Sequence, residues 1–445
     1  NEMERMFHQK GMAGFTLRPG CAYLEIQGRL SNRTPLPQTF LWWANPAVEV
    51  NDYYQSVFPP DVNAVFDHGK RAVSSFPIAT GTYYKMDYSA GVDISNYKNI
   101  KVPTSYMGVN SKYDFEGGYE NDTKGGMLHV ASHHFSPGKK QWTWGNGDFG
   151  RAWDRCLTDE APLTPPADGW KGEVTDFFPT GNEEKIFRPY IELMAGVYTE
   201  NQPDFTWIAP YETKEFEQYW YPIREIGEIK NATIDAAVNV EKRADGLYFG
   251  FNVTGTFKDA RIVVTDGINE IYTETASLTP DTAYHKTLDC AISDIHNVKV
   301  ALYAADGREL VSYKTYKRGQ KQPIEVRQPV KRPSEYETVE ELYINGYHLE
   351  QYKQHNYRPA DYYMEGIKRD AGDIRCNTSM GRLCLKNGRF EECVAYCDVA
   401  IKRLTSRNQH PTDTEAFYLK GIALAYLGKD REAYDTLWRA AWNYA

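Results

Sequence analysis

Apolar and polar residues alternate in short runs through the first half of the chain, then switch to a helical spacing near its end. Ala22-Tyr-Leu-Glu-Ile-Gln-Gly-Arg-Leu30 has the period of two that marks a half-buried strand. Gly14-Phe-Thr-Leu-Arg-Pro-Gly20 reads as a strand running into a Pro-Gly turn, and Asn32-Arg-Thr-Pro-Leu-Pro37 as a turn. Thr39-Phe-Leu-Trp-Trp-Ala44 has no polar face, so it is expected to be buried on both sides. Further strands are expected around Tyr53 to Phe58, Gly81 to Asp87, Gly126 to Ala131 and Tyr190 to Met194. No long helical period is visible before residue 225. Many short strands between Pro- and Gly-rich turns predict a sandwich or barrel. Residues 160–189 interrupt the pattern with loop composition, a length that points to function or insertion.

A second β unit follows. Gly246-Leu-Tyr-Phe-Gly-Phe-Asn-Val253 and Val298-Lys-Val-Ala-Leu-Tyr303 alternate, and Ala304-Ala-Asp-Gly-Arg308 carries a hairpin signal. About ninety residues suit an immunoglobulin-like sandwich. Residues 319–335 hold three prolines and several charges, as a linker does. Beyond them Gly381, Cys384, Gly388, Cys393, Cys397 and Ala400 recur as Gly421, Leu424, Gly428, Ala433, Leu437 and Ala440. The offset is 40 residues (421 − 381). This resembles the tetratricopeptide (TPR) repeat, lengthened by the loop Ser406–Asp413. The small residues are expected to let paired helices approach, and the glycines to end the first helix of each pair. Such arrays imply a protein or peptide partner.

Composition narrows the class. At 445 residues, with 41% hydrophobic and 25% charged, the chain is an ordinary globular sequence of two to four domains. A net charge of −9 leaves no basic stripe for nucleic acid. No apolar run is long enough to cross a bilayer, and no signal-peptide pattern opens the chain. Seven cysteines, irregularly spaced, predict reduced thiols and a cytoplasmic protein; Cys376, Cys384, Cys393 and Cys397 are expected in a helical core. Without a Cys-x-x-Cys pair, neither zinc nor another cofactor is implied.

Aromatics are in excess, with 33 Tyr, 19 Phe and 10 Trp. They concentrate with charges between His129 and Asp159. There Trp142, Trp144 and Trp153 interleave with His133, His134, Asp148, Arg151, Asp154, Arg155 and Asp159. Indole rings that stack on sugar C–H faces, beside acids and guanidiniums that bond hydroxyls, make a saccharide cleft. The alternative is a turn-rich sheet edge whose charges pair with one another.

Longer motifs carry a family resemblance. They are Leu41-Trp-Trp-Ala-Asn-Pro46, Phe58-Pro-Pro-Asp61, Phe66-Asp-His-Gly69, Ser132-His-His-Phe-Ser-Pro-Gly-Lys-Lys140, Trp144-Gly-Asn-Gly-Asp-Phe-Gly150, Ala152-Trp-Asp-Arg155, Leu157-Thr-Asp159, Glu192-Leu-Met-Ala-Gly-Val-Tyr-Thr199, Asn201-Gln-Pro-Asp204 and Gln218-Tyr-Trp-Tyr-Pro222. With the repeats downstream, they resemble a bacterial family of unknown function in which a galactose-mutarotase-like β-supersandwich precedes TPR repeats. The resemblance implies a β-then-α chain: a mutarotase-like sandwich over 1–226, an immunoglobulin-like sandwich over 227–318, a linker over 319–335 and a TPR α-solenoid over 336–445. It also implies an insertion at 161–188, a sandwich incomplete at its N-terminus and repeats incomplete at their C-terminus. Related sheets occur in aldose epimerases and glycoside hydrolases, so the fold implies sugar without supplying a reaction.

For chemistry at an anomeric carbon, the candidate acid/base pair is Asp154 and Glu192, the latter an acid within the apolar run Tyr190-Ile-Glu-Leu-Met. His133 and His134 are expected at a strand end, on opposite faces, one of them orienting the sugar. Trp142, Trp144, Asp148, Arg151, Trp153, Arg155, Asp159 and Asp204 are candidate binding residues, and Glu116 a further carboxylate. His129, His133 and Asp154 have no specific metal spacing. Two readings stay open. One is a carbohydrate-active protein of hydrolase or epimerase type. The other is a noncatalytic adaptor that joins a sugar-sensing or inert sandwich to peptide-binding repeats.

Overall fold

The computed structural model describes residues 2–109, 111–158, 160–161, 186–201, 204–290, 292–317, 325–352 and 356–442. The expected insertion at 161–188 lies largely outside the described residues, as do Asp159 and the first part of the linker. The chain divides into two compact units, Asn1–Arg327 and Gln328–Ala445. The first is built of β-sheets and the second of helices.

A seven-stranded antiparallel sheet lies at the centre of the first unit. Its strands run in the order Glu2–Met3, Gln9–Leu17, Leu24–Asn32, Thr213–Arg224, Gly125–Val130, Phe115–Glu120, Tyr54–Val57. One face packs on a second sheet, ordered Trp42–Ala44, Tyr190–Val197, Gly138–Thr143, Thr104–Gly108, Ala64–Phe66, Val73–Ser75. Ile26, Leu193, Ala195 and Trp220 fill part of that interlayer. Gln141 pins it: its side-chain oxygen accepts from Ser56 at 2.5 Å and Tyr54 at 3.3 Å, and its amide donates to the Gly117 carbonyl at 2.7 Å.

The opposite face of the central sheet is also covered. Phe115, Leu128, Val130, Tyr221 and Ile223 pack with Ile226 and Ile229 of the connecting segment and with Ala232 and Ala237 of the second β unit. That unit is two four-stranded sheets, one of Asn231–Ala232, Ala236–Arg243, Gly246–Val253 and Tyr284–Leu288, the other of Asn269–Leu278, Phe257–Asp266, Val298–Tyr303 and Glu309–Lys314. Val238, Phe249, Ile262, Val264, Val300 and Leu302 lie between them. The first unit is therefore four β layers deep.

Three expectations change. Residues 39–44 do not form one doubly buried strand. They split into Gln38–Phe40, which pairs with Thr206–Ile208, and Trp42–Ala44, a half-buried sheet edge. The Gly81–Asp87 strand is a tight hairpin of Thr82–Tyr83 with Met86–Asp87. A helix, α1 (Asp148–Leu157), interrupts the β half; ten residues are too few to stand out as a helical period among turns.

The second unit holds α2 (Val339–Gln351), α3 (Pro359–Arg369), α4 (Ile374–Lys386), α5 (Phe390–Leu404), α6 (Glu415–Tyr426) and α7 (Asp430–Ala440). Consecutive helices pack as three hairpins. The 40-residue echo is structural: a Cβ on Gly381 would lie 2.8 Å from the Cys397 sulfur, and one on Gly421 2.5 Å from Leu437 Cγ. Gly388 and Gly428 both take φ of +71° just past α4 and α6. Cys376, Cys384, Cys393 and Cys397 are buried free thiols, as expected.

A Cβ at Gly118 would lie 1.8 Å from the Tyr54 hydroxyl, inside the interlayer that Gln141 pins. Gly118→Ala is expected to destabilise the β unit by about 1–3 kcal/mol, the range of core overpacking. A lowered urea midpoint at unchanged slope is the readout.

Candidate functional site

The outward face of the second sheet gathers most of the predicted residues. Register places Trp142 opposite Glu192 and Lys140 opposite Met194, so these side chains share one face, while Lys139, Gln141 and Leu193 point into the interlayer. The chain leaves Gly138–Thr143 through Trp144-Gly-Asn-Gly and enters α1. Gly145 has φ of +79°, and a Cβ on Gly150 would lie 1.9 Å from the Gly145 carbonyl. Only glycines let α1 dock this tightly on the strand end.

That docking assembles an aromatic cluster. Trp142 meets Trp144 edge-on, with centroids 4.5 Å apart, and Trp153 of α1 stacks on Trp144 at 4.7 Å with 12° between planes. Trp144 donates its indole N–H to the Tyr190 hydroxyl at 3.0 Å. Trp153 remains 39% exposed and Phe149 58%. The rings are neither swallowed by the core nor free of one another.

Two carboxyls flank Tyr190, whose pKa burial raises and both Asp154 and Glu192 raise further, against the Trp144 hydrogen bond. Asp154 is buried beneath α1, and burial pushes its pKa up to about 6 against the pull of Arg151. Glu192 is also raised by burial, with Lys140 opposing. Lys140 is fully buried; burial brings its pKa down to about 8, Glu192 acting against it. Its ammonium lies 3.1 Å from His68 Nδ1 and 5.8 Å from the Trp43 ring centroid. Burial, then Lys140, lowers His68 to about 4, so His68 is neutral near pH 7. Burial thus raises two carboxyls that both act on Tyr190, the direction that a proton donor near neutral pH requires.

The other predicted residues fall elsewhere. His133 and His134 are not at a strand end on opposite faces. The strand stops at Val130, and both sit in the following turn with rings 4.0 Å apart. His133 is tied at 2.7 Å to Asp114. The turn enters Gly138–Thr143 at the far end from Trp142, four residues or about 13 Å along the strand, so it does not join the tryptophans. Asp148 lies exposed in the first turn of α1, Arg151 donates to the Asn146 carbonyl at 3.2 Å, and Arg155 faces outward. Asp204 pairs with Arg327 at 3.7 Å. Glu116 and His129 lie opposite each other between the sheets with Lys139. Burial raises the Glu116 pKa against Lys139, lowers Lys139 against Glu116, and takes His129 down to about 3. His129 is therefore separated from Asp154, and the His129/His133/Asp154 set does not converge. The sequence reading missed Lys140, His68 and Trp43. Gly138-Lys-Lys-Gln looks like a polar turn until register shows that its two lysines face opposite sides of a buried strand.

Residues 6–169 match a domain of unknown function, DUF5107. Residues 231–313 match the second domain of YphG-like protein. Among solved structures, a TPR-domain containing protein from Parabacteroides distasonis is 13% identical; the match covers 97% of this chain and 55% of that one, with a TM-score of 0.36. A putative aldose 1-epimerase from Escherichia coli is 10% identical over 50% of this chain and 63% of its own, at a TM-score of 0.30. A galactose mutarotase-like protein from Lactobacillus casei is 11% identical over 49% and 64%, at 0.29. The chain spans about half to two-thirds of the length of these structures. The DUF5107 match takes in Lys140, Trp142, Trp144, Trp153 and Asp154, and stops before Tyr190 and Glu192. No helix among the described residues is long and apolar enough to cross a membrane.

The raised Asp154 pKa has a definite sign. The folded state holds this proton more tightly than the unfolded chain, so the group contributes stability below about pH 4 that is lost as pH rises through about 6. Asp154→Asn is expected to gain in thermal midpoint relative to the parent above pH 6 and to lose that advantage below pH 4. Paired melting curves from pH 3.5 to 8 measure the difference.

Proposed function

We propose that the outward face of the second sheet binds a saccharide, with Trp153 as the stacking surface and Asp154 and Glu192 as the acidic groups beside it. The observation that carries this reading is the Trp144–Trp153 stack, which holds one indole flat and part-exposed next to Tyr190 and two carboxyls of raised pKa. A held ring loses little entropy on stacking against sugar C–H groups. Asp148 and Arg155 are exposed on the same helix but on a different face from Trp153, and would reach only a saccharide that extends past the ring. In the catalytic form of this reading, Asp154 protonates the oxygen that leaves the anomeric carbon as that C–O bond breaks, and Glu192 takes a proton from the water that attacks the same carbon. His133 and His134 belong to this site only if the sugar chain reaches their turn.

A second reading is supported by the helical hairpins. Their matched glycine contacts and 40-residue period favour a TPR array, and the second unit is then a peptide-binding adaptor. The immunoglobulin-like unit would serve as a spacer or packing module.

Titration with mono- and oligosaccharides, followed by tryptophan fluorescence, tests the binding reading. Saturable binding is expected, with Trp153→Ala weakening it about tenfold, which corresponds to roughly 1.4 kcal/mol. No response to any sugar overturns it. Aryl glycosides test the catalytic form: turnover lost in Asp154→Asn and Glu192→Gln supports it, and binding without turnover by the parent protein removes it.

A further inference from the structure

The outer face of the central sheet, at the end away from the second β unit's packing residues, carries a patch of opposite sign to the acidic chain. Its register is fixed across four strands. Met3, Lys10, Ser31 and Thr213 stand in one row; Met12, Arg29 and Glu215 stand in the next. The Ser31 and Thr213 hydroxyls are 2.9 Å apart at the middle of the patch. Arg29 and Arg33 are two residues either side of Ser31, so their side chains flank it on the same face, about 7 Å along the strand in each direction. Lys10 stands directly across from Ser31, about 5 Å away between Cβ atoms. The Arg33 guanidinium lies 4.0 Å from the Met3 sulfur, in the row of Lys10. Lys10, Met12, Arg29, Ser31 and Arg33 line an open concavity of 480 Å³.

The charges do not cancel. Arg29 pairs with Glu215 at 3.0 Å. Lys10 and Arg33 have no carboxylate within ion-pair distance among the described residues. In a chain of net charge −9, two such cations beside a third, around a pair of hydroxyls, make a local positive field with neutral donors at its floor. Two hydroxyls and two cations without an ion-pair partner among the described residues, side by side on one sheet face, supply the charge and the donors that a tetrahedral dianion takes.

We propose that this patch is an oxyanion site that takes a phosphate or sulfate group, borne as a monoester on a larger ligand. Ser31 and Thr213 give up the hydrogen bond between them to turn their protons to its oxygens, Lys10 and Arg33 neutralise it, and Arg29 stands in the next row, held by Glu215. The site is independent of the saccharide reading, which concerns the second sheet.

Calorimetric titration of the full chain with inorganic phosphate, and separately with inorganic sulfate, in low-salt buffer tests the assignment. Glucose is the neutral control and chloride at matched ionic strength the monovalent one. Saturable binding of phosphate, sulfate or both is expected, weakening as sodium chloride is raised, and preference between them identifies the ester. Lys10→Gln with Arg33→Gln should reduce affinity at least tenfold, while Lys10→Arg retains it. Both residues are exposed, so an unchanged melting curve is expected and separates lost binding from lost folding. The proposal is overturned if neither dianion binds saturably, if chloride displaces them at equal concentration, or if the folded double variant binds as the parent does.

Discussion

The first unit depends on one constraint: its central sheet is covered on both faces. Glu116, His129 and Trp220 point toward the second sheet, and their neighbours Phe115, Leu128 and Tyr221 point toward the second β unit. Neither side is solvent over much of the sheet's length, so every strand there must satisfy two cores. Glycine becomes necessary where layers approach most closely, as at Gly118 against Tyr54. Polar groups trapped in the interlayer must find partners inside it, as Gln141 does with Ser56, Tyr54 and Gly117.

The same covering explains where chemistry sits. Charges confined between layers shift toward their neutral forms: Glu116 up, Lys139 and His129 down, each because burial penalises the ion. These groups are buried between the layers. The outward face of the second sheet is different, because α1 covers only part of it. There burial raises Asp154 and Glu192 while Trp153 stays part-exposed, combining perturbed acids with an accessible ring. The basic patch at Lys10, Ser31 and Arg33 lies where the central sheet runs past its cover, which is why strand side chains there can carry charge.

Much of this was legible in the residues. Alternation at Ala22–Leu30 and Gly246–Val253 gave strands, and the offset from Gly381 to Gly421 gave helix pairs. The tryptophans were recognisable as a cluster because Trp142, Trp144 and Trp153 are close in the chain. What failed did so for local reasons. His133 and His134 read as a strand end because Leu128-His-Val130 precedes them, yet the turn took both. Residues 39–44 read as doubly buried because all are apolar or small, yet Trp42–Ala44 is a sheet edge.

The sequence by itself determined the order of β then helical structure, the second β unit, the repeat spacing and the indole-rich block. Each is written in periodicity or composition within a few tens of residues. Only the tertiary structure decided that Glu192 and Lys140 share a face, that His68 meets that lysine, and that Thr213 meets Ser31. Those neighbours come from strands far apart in the chain. Their meeting depends on register and layer order, and shifting a strand by one residue would turn every one of these side chains to the other side.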